Sequence, residues 1–278
     1  MQKVNCPLCH SSNSVNITKI FNQIAQSNFC LEQCECNFVF LNPRPELEDL
    51  KNYYIDNDYH PHAKGKGFLF LFYKIAKKIT YYWKFKVIKK NSSQDILHLD
   101  YGAGDGSFSN YLNSKKNVES ISYDPYYPNS TLTEVVEKKY NVITLWHVVE
   151  HIYDLDSFWI EIKKMLDKNG RIFIAVPNFD SMEKKYFGKD WAAYDIPRHL
   201  YHFNADSLDR LLDQKGFKVL SKKRMLLDTL YISILSSKHK SVFQFSKAIS
   251  IAIMVISKVL FKGANYSSSL FYVCERKK

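Results

Sequence analysis

The chain begins Met1-Gln-Lys-Val-Asn-Cys-Pro, with no apolar stretch where a secretory signal would need one. A cytoplasmic location is therefore expected, and with it reduced thiols. No apolar run is long enough to cross a bilayer; the best, within residues 243–261, is interrupted by Lys258. The glycines lack the dinucleotide-binding spacing G-x-G-x-x-G. No clear aromatic RNA-reading motif is visible, which argues against nucleic acid as the partner of a chain carrying a net charge of +11. An anionic small molecule or a lipid headgroup would suit that charge. So would a bland origin, because Lys-, Asn- and Ile-rich composition is what AT-rich genomes encode. Cysteine is nearly absent beyond residue 36, since five of the six cysteines precede that point.

Clustered cysteines in a reducing compartment point to a metal rather than to disulfides. Cys6-Pro-Leu-Cys9 has the two-residue spacer that turns two thiolates toward one tetrahedral ion. The second pair is expected among Cys30, Cys34 and Cys36. Cys34 and Cys36 are preferred because Asn37 follows them and tolerates the left-handed turn that glycine normally supplies; Cys30 is a spare or a substitute. Zinc held by Cys6, Cys9, Cys34 and Cys36 would be structural, since four thiolates leave no open position for catalysis.

The most informative run is Ile96-Leu-His-Leu-Asp-Tyr-Gly-Ala-Gly-Asp-Gly106. It reads as a strand, a glycine turn and a helix start, the place where an α/β sheet binds a nucleotide-like ligand. The order acidic-x-Gly-x-Gly-x-Gly puts Asp100 beside a cationic ligand group, where a pyrophosphate would be repelled. That favours S-adenosylmethionine over NAD. Strands are expected at 96–100, 118–123, 141–146, 171–176, from Phe217 to Leu220 and from Ser269 to Cys274. Helices are expected at 68–90, 106–115, 155–168 and 205–215. The alternation implies a Rossmann-like, doubly wound, mostly parallel sheet. Lys168-Asn169-Gly170 is read as the turn ending the 155–168 helix. The domains are then a ribbon at 1–45, a helical linker or lid at 46–93 (with Tyr53, Tyr54 and Tyr59) and the sheet domain at 94–278, with a helical insertion at about 225–265. In the 68–90 helix, Phe70, Tyr73, Ala76, Ile79 and Trp83 mark the face expected to pack on the glycine-rich side of the sheet. For 243–261, a buried helix, a homodimer contact and an interfacial membrane helix at the inner membrane all remain open.

Asp124 closes the second strand, where a carboxylate can accept both hydroxyls of a ribose. His147-Val-Val-Glu150-His151 also matches the inverted zinc-protease motif, but His147 ends a strand rather than sitting on the helix such a site needs. Glu150 and His151 are read as substrate-facing, with His151 a general base on a sugar or phenol hydroxyl. Their alternative is a structural pair capping the helix that starts near Asp156. In Pro197-Arg-His-Leu-Tyr-His-Phe203, His199 is a second acid/base candidate and Arg198 a contact for an anionic substrate. A structural role is open for His202.

With these elements in place, the chain resembles class I S-adenosylmethionine-dependent methyltransferases, and within them the bacterial branch with an amino-terminal zinc ribbon. The resemblance rests on C-P-L-C, F-V-F-L-N-P-R-P, L-D-Y-G-A-G-D-G-S-F, Y-D-P, T-L-W-H-V-V-E-H-I, G-R-I-F-I-A-V-P-N and H-L-Y-H-F, in the family's order over most of residues 6 to 220. It implies a seven-stranded sheet with an antiparallel last strand, and methyl transfer to a nucleophile. It places Asp100, Tyr101, Gly102, Ala103 and Gly104 around the methionine part of the cofactor. Asp124, with Pro125 beside it, falls on the ribose acid, and Leu145, Trp146 and His147 line the cofactor. W-H-V-V-E-H also resembles quinone O-methyltransferases, where related acidic and His residues hold a divalent metal. Sugar C-methyltransferases share the ribbon and use a Glu–His pair for proton abstraction. Two departures stand out. Only about 17 residues separate Asp124 from Asn141, so the adenine pocket and one strand are compressed. The large carboxyl-terminal domain of the sugar C-methyltransferases is also missing, which favours O-methylation of a glycan or small molecule. The competing reading is a non-catalytic scaffold that binds nucleic acid through ribbon and charge.

Overall fold

The computed structural model describes residues 1–22, 26–54, 68–125, 135–237 and 242–277. Tyr59 and much of the short segment after Asp124 lie outside them. The amino-terminal part forms β1 (Ser14–Asn22), β2 (Ser27–Cys34) and β3 (Val39–Leu41), followed by the short helix α1 (Leu47–Leu50) and the long α2 (Phe68–Lys90). The sheet domain continues with β4 (Ile96–Tyr101), α3 (Ser107–Asn113), β5 (Val118–Tyr123), β6 (Tyr140–Trp146), α4 (Leu155–Met165) and β7 (Leu166–Pro177). It closes with α5 (Met182–Phe187), β8 (Tyr201–His202), α6 (Ala205–Gln214), β9 (Phe217–Arg224), α7 (Leu226–Ser236), α8 (Val242–Lys262) and β10 (Ser269–Arg276).

The main sheet has the order β5-β4-β6-β7-β10-β9. β4, β5, β6 and β7 pair in parallel, while β10 runs antiparallel to both neighbours. This is the doubly wound, mostly parallel architecture that the alternation of elements predicts. The seven strands implied by the resemblance become six among the described residues. Parallel strands are covered on both faces, which is why β6 and β7 read as nearly unbroken apolar runs; Val142, Ile143, Leu145, Ile172, Phe173, Ile174 and Ala175 are all buried. Chain order reverses between β4 and β6, one strand leading to β5 and the other to β7. Such a switch point is where α/β sheets leave a crevice for a ligand, beyond the carboxyl ends of the strands.

Local chemistry fixes the element ends. Asp154 caps α4, its carboxylate accepting from the Asp156 and Ser157 amides. The Glu150–His151 pair therefore does not cap this helix. Asn204 and Ser207 form a reciprocal capping box on α6. α4 ends at Met165 rather than near residue 168, and β7 begins at once, so Lys168-Asn169-Gly170 is not a helix-ending turn. The glycine is needed there for space, because a Cβ on Gly170 would stand 2.7 Å from Leu166 Cδ1. The packed face of α2 also differs from the expected one. Trp83 packs as expected, Ala76 and Ile79 are exposed, and the side chains of Phe70 and Tyr73 lie outside the described residues; the packed face is Tyr81, Trp83, Phe85, Val87 and Ile88, toward β10, α3 and the sheet core.

The amino-terminal strands are joined to the sheet domain by hydrogen bonding, since β3 pairs with β8 in a second sheet, β1-β2-β3-β8. Phe38 and Phe40 of this layer share one apolar core with Tyr201, Phe203 and Trp159. No helix among the described residues is long and apolar enough to cross a membrane.

Candidate active site and cysteine cluster

Both cysteine turns take the same shape. His10 follows Cys9 at φ 61 and Asn37 follows Cys36 at φ 65, so each chain segment curls its sulfurs toward a common point. Cys6, Cys9, Cys34 and Cys36 gather with all sulfurs within 4.8 Å of one another. The Cys6–Cys36 and Cys9–Cys34 sulfur distances are 3.7 and 3.4 Å. Bonds of about 2.3 Å to a tetrahedral zinc place thiolates roughly 3.8 Å apart, so the donor set fits that ion. Cys30 lies within β2 opposite Lys19 and is not part of the cluster.

At the switch point, the turn after β4 is anchored to the end of β5. The amides of Gly102 and Ala103 donate to the Tyr123 carbonyl at 2.7 and 3.0 Å. The Gly104 amide donates to Asp124 Oδ2 at 2.9 Å. Gly102 is held at φ +76, and a Cβ on it would collide with Val148 Cγ2 at 2.4 Å. Gly104, at φ +55, faces open space, with nothing within 4 Å of its Cβ direction. An acid beside an open glycine turn offers acceptors for the hydroxyls of a nucleoside and room for its tail against the main chain.

Asp100 is buried at the base of this crevice. A buried relay reaches it across three strands. The Thr144 hydroxyl donates to Asp100 Oδ1 at 2.6 Å, so Thr144 must accept from His98 Nε2–H at 2.9 Å. His98 Nδ1 then accepts from the Ser120 hydroxyl at 2.7 Å. Burial holds His98 neutral, with its pKa down at about 3. Burial also pushes Asp100 up to about 6, against the pull of the Thr144 hydroxyl and the Lys84 ammonium. Lys84, from α2, lies 4.0 Å from the Trp146 ring centroid and 5.3 Å from that of Phe108. Burial lowers its pKa to about 8, opposed by Asp100 and Asp228. Sequence reasoning missed Lys84, one lysine among many on a basic helix. Of the other expected cofactor residues, Tyr101 packs its ring on Tyr123 and Phe158, and Leu145 is wholly buried. Their side chains belong to the core, not to the crevice. Pro125 is exposed beyond Asp124.

His147 leaves β6 at φ +56, a left-handed turn that exposes both ring nitrogens to carboxylates. Nδ1 lies 3.3 Å from Glu150 Oε1 and Nε2 lies 3.1 Å from Asp228 Oδ2 of α7. Burial disfavours its charge, but the two carboxylates prevail and push its pKa up to about 10. His147 is thus a cation donating to both, and no base. Asp228, 81 residues away, carried no sequence signal.

The candidate catalytic residues do converge. Ligand-capable atoms of Glu150, His151 and His199 lie within 4.8 Å of one another. His151 Nδ1 lies 3.1 Å from the Arg198 carbonyl, which can only accept, and 2.9 Å from the Tyr54 hydroxyl. The proton is therefore on Nδ1 and the lone pair on Nε2. His199 donates Nδ1–H to the Ala193 carbonyl at 2.9 Å, and its Nε2 lies 3.6 Å from Asp195 Oδ2. Burial, reinforced by His199, lowers His151 to about 4. Glu150 is fully buried; one oxygen serves His147, and Oε2 has no hydrogen-bond partner. Arg198 is engaged by Asp195 in a bidentate pair, so its expected role as a contact for an anionic substrate finds the guanidinium already occupied. The buried His202 stacks among Phe179, Tyr194 and His199. A shallow cleft of about 590 Å³, lined by residues such as Asn141, Asp167 and Arg171, lies at the opposite ends of the strands and includes none of these groups.

The chain belongs to the methyltransferase-domain family, whose profile matches residues 69–222. No curated protein matches its sequence. Among solved structures it is similar to a SAM-dependent methyltransferase from Archaeoglobus fulgidus, at 18% identity over 76% of this chain and 100% of that one, with a TM-score of 0.45. It is also similar to phosphoethanolamine N-methyltransferase 2 of Haemonchus contortus, solved with phosphomonomethylethanolamine and S-adenosylhomocysteine. That match has 12% identity over 94% of this chain and 71% of that one, with a TM-score of 0.49. The [4+2]-cyclase SpnF is similar at 12% identity over 69% and 79% of the two chains, with a TM-score of 0.41.

Proposed function

We propose that this chain transfers a methyl group from S-adenosylmethionine to a hydroxyl of a small-molecule or glycan acceptor, with His151 as general base. The observation that carries the reading is the fixed His151 tautomer. Nδ1–H is spent on the Arg198 carbonyl, the lone pair is left on Nε2, and the ring reaches to within 4.8 Å of ligand-capable atoms of Glu150 and His199. When bound, the cofactor supplies an electrophilic methyl group on a sulfonium centre. Asp124 holds its ribose, Asp100 faces its cationic end, and Lys84 offers an ammonium to its carboxylate. His151 takes the acceptor's proton, and the Glu150 carboxylate stabilises the imidazolium that results. The four-cysteine cluster holds a structural zinc, as in the ribbon-bearing bacterial branch.

The test is transfer of isotope-labelled methyl from S-adenosylmethionine to a panel of nucleotide-sugars, glycans and phenols. Label should enter one acceptor class with the wild-type chain and fall away with His151→Gln. Equal labelling by both proteins overturns the base assignment.

One observation favours a second reading of the same cluster. Both histidines donate Nδ1–H to backbone carbonyls, the arrangement usual for metal-ligating imidazoles, and Glu150 Oε2 is buried without a partner. A divalent ion held by Glu150, His151 and His199 would polarise the acceptor oxygen instead. Retention of manganese by the wild-type chain and its loss in His199→Ala would support this; full activity after exhaustive chelation would exclude it.

A further inference from the structure

The helical insertion is basic and apolar at once. Residues 229–274 contain no Asp or Glu and five lysines, in a chain with 28 acidic residues. α8 buries one apolar face, through Ala248, Ile251, Ala252, Val255 and Val259. A helix with one such stripe ordinarily shows water a polar back. Here the back carries Ile253, Met254, Leu260 and Phe261, all exposed, Phe261 to 90%. Lys247 and Lys262 are exposed on the same helix, and Lys258 is half-buried. α7 repeats the pattern, with Leu227, Tyr231 and Leu235 exposed at i, i+4 and i+8 while Thr229, Ile232 and Ser233 are buried.

We propose that the α7–α8 pair is a docking surface for an anionic lipid bilayer. This goes beyond the methyl-transfer reading and does not depend on it. Apolar side chains flanked by lysines match the two parts of a lipid surface: acyl boundary for the stripe, headgroup charge for the ammonium groups. Charge decides against a second copy of this chain. A twofold interface would set this lysine-bearing face against itself, and the one carboxylate of the two helices, Asp228, is turned inward to His147. α7 also carries Asp228, the partner of His147, so the lipid-facing helix reaches directly into the site.

Flotation of the full chain with phosphatidylcholine vesicles, with and without phosphatidylserine, tests this. The chain should float with the anionic vesicles, stay behind with the neutral ones, and be released by salt. Phe261→Ser should lower partitioning by about tenfold, and a Lys258→Glu/Lys262→Glu pair should lower it further. Thermal melting shows whether these surface variants remain folded. A double substitution Ile253→Ser/Leu260→Ser gives a second reading should Phe261→Ser fail to fold. The proposal is overturned if the chain stays in the soluble fraction with anionic vesicles. It is equally overturned if it floats equally with both vesicle types, or if the face instead drives dimerisation that Phe261→Ser abolishes.

Discussion

Replacing Asp100 by Asn should make the ligand-free protein more stable while weakening its hold on the cofactor. Asp100 is buried, and its pKa rises from 3.8 to about 6, chiefly through burial. The folded chain thus keeps this proton to a higher pH than the unfolded chain does. Stability falls as pH rises from about 4 to about 6 and stays depressed above that, by about 3 kcal/mol for this group. Asn keeps an acceptor for the Thr144 hydroxyl but loses the ionic part of that bond, about 1 kcal/mol. The net gain is about 2 kcal/mol near neutrality, or about 4–8 °C in melting temperature for a chain of this size. Melting of both proteins without ligand at pH 4 and pH 7.5 checks this; the gap should open only at the higher pH. On the proposed role of Asp100 at the cationic end of S-adenosylmethionine, the same substitution should cost at least about tenfold in affinity for that cofactor. A variant destabilised at neutral pH that binds the cofactor as well as wild type would refute the reasoning.

Glu150→Gln and His151→Gln should each lower turnover by about 10²- to 10⁴-fold while leaving cofactor affinity unchanged; steady-state kinetics beside a binding titration separates the two. Because burial holds His151 down at about 4, its base form persists in the free enzyme as pH falls. The pH profile of kcat/KM should stay flat to about pH 5 instead of falling near an ordinary imidazole value. Cys34→Ser should abolish stoichiometric zinc by elemental analysis and lower the melting temperature, whereas Cys30→Ser should retain about one equivalent. Gly104→Ala meets no atom within 4 Å but must hold φ +55. Its stability cost should stay within about 1–2 kcal/mol, while cofactor affinity falls far more, because the new methyl enters the cradle.

The sheet was legible because Ile172 to Val176 is an unbroken apolar run and the strands before it stop at the acids that matter, as Ile96 to Asp100 and Val118 to Asp124 show. The cysteine pair Cys34–Cys36 was legible for a similar reason: Asn37 supplies a turn that local chemistry can predict. What escaped depends on contacts far apart in the chain. Asp228 reaches His147 from a helix whose pattern announces only a core face, and this contact turns His147 from a cofactor-lining residue into a doubly paired cation. Lys84 looks like any solvated lysine until the fold sets its ammonium over the rings of Trp146 and Phe108. Gly170 signals a helix end in sequence but is required by the close approach of Leu166. Tautomers lie wholly outside sequence reasoning, since the carbonyls that fix them come from a 3-10 turn at Ala192–Tyr194 and from the loop at Arg198, neither of which announces where its oxygens point.

Isothermal titration of the folded, zinc-loaded chain with S-adenosylmethionine and S-adenosylhomocysteine bears most directly on the glycine cradle and Asp124. Both should bind saturably at one site per chain, and most of that affinity should be lost in Asp124→Ala. No measurable heat with either ligand, or unchanged binding in Asp124→Ala, would contradict this.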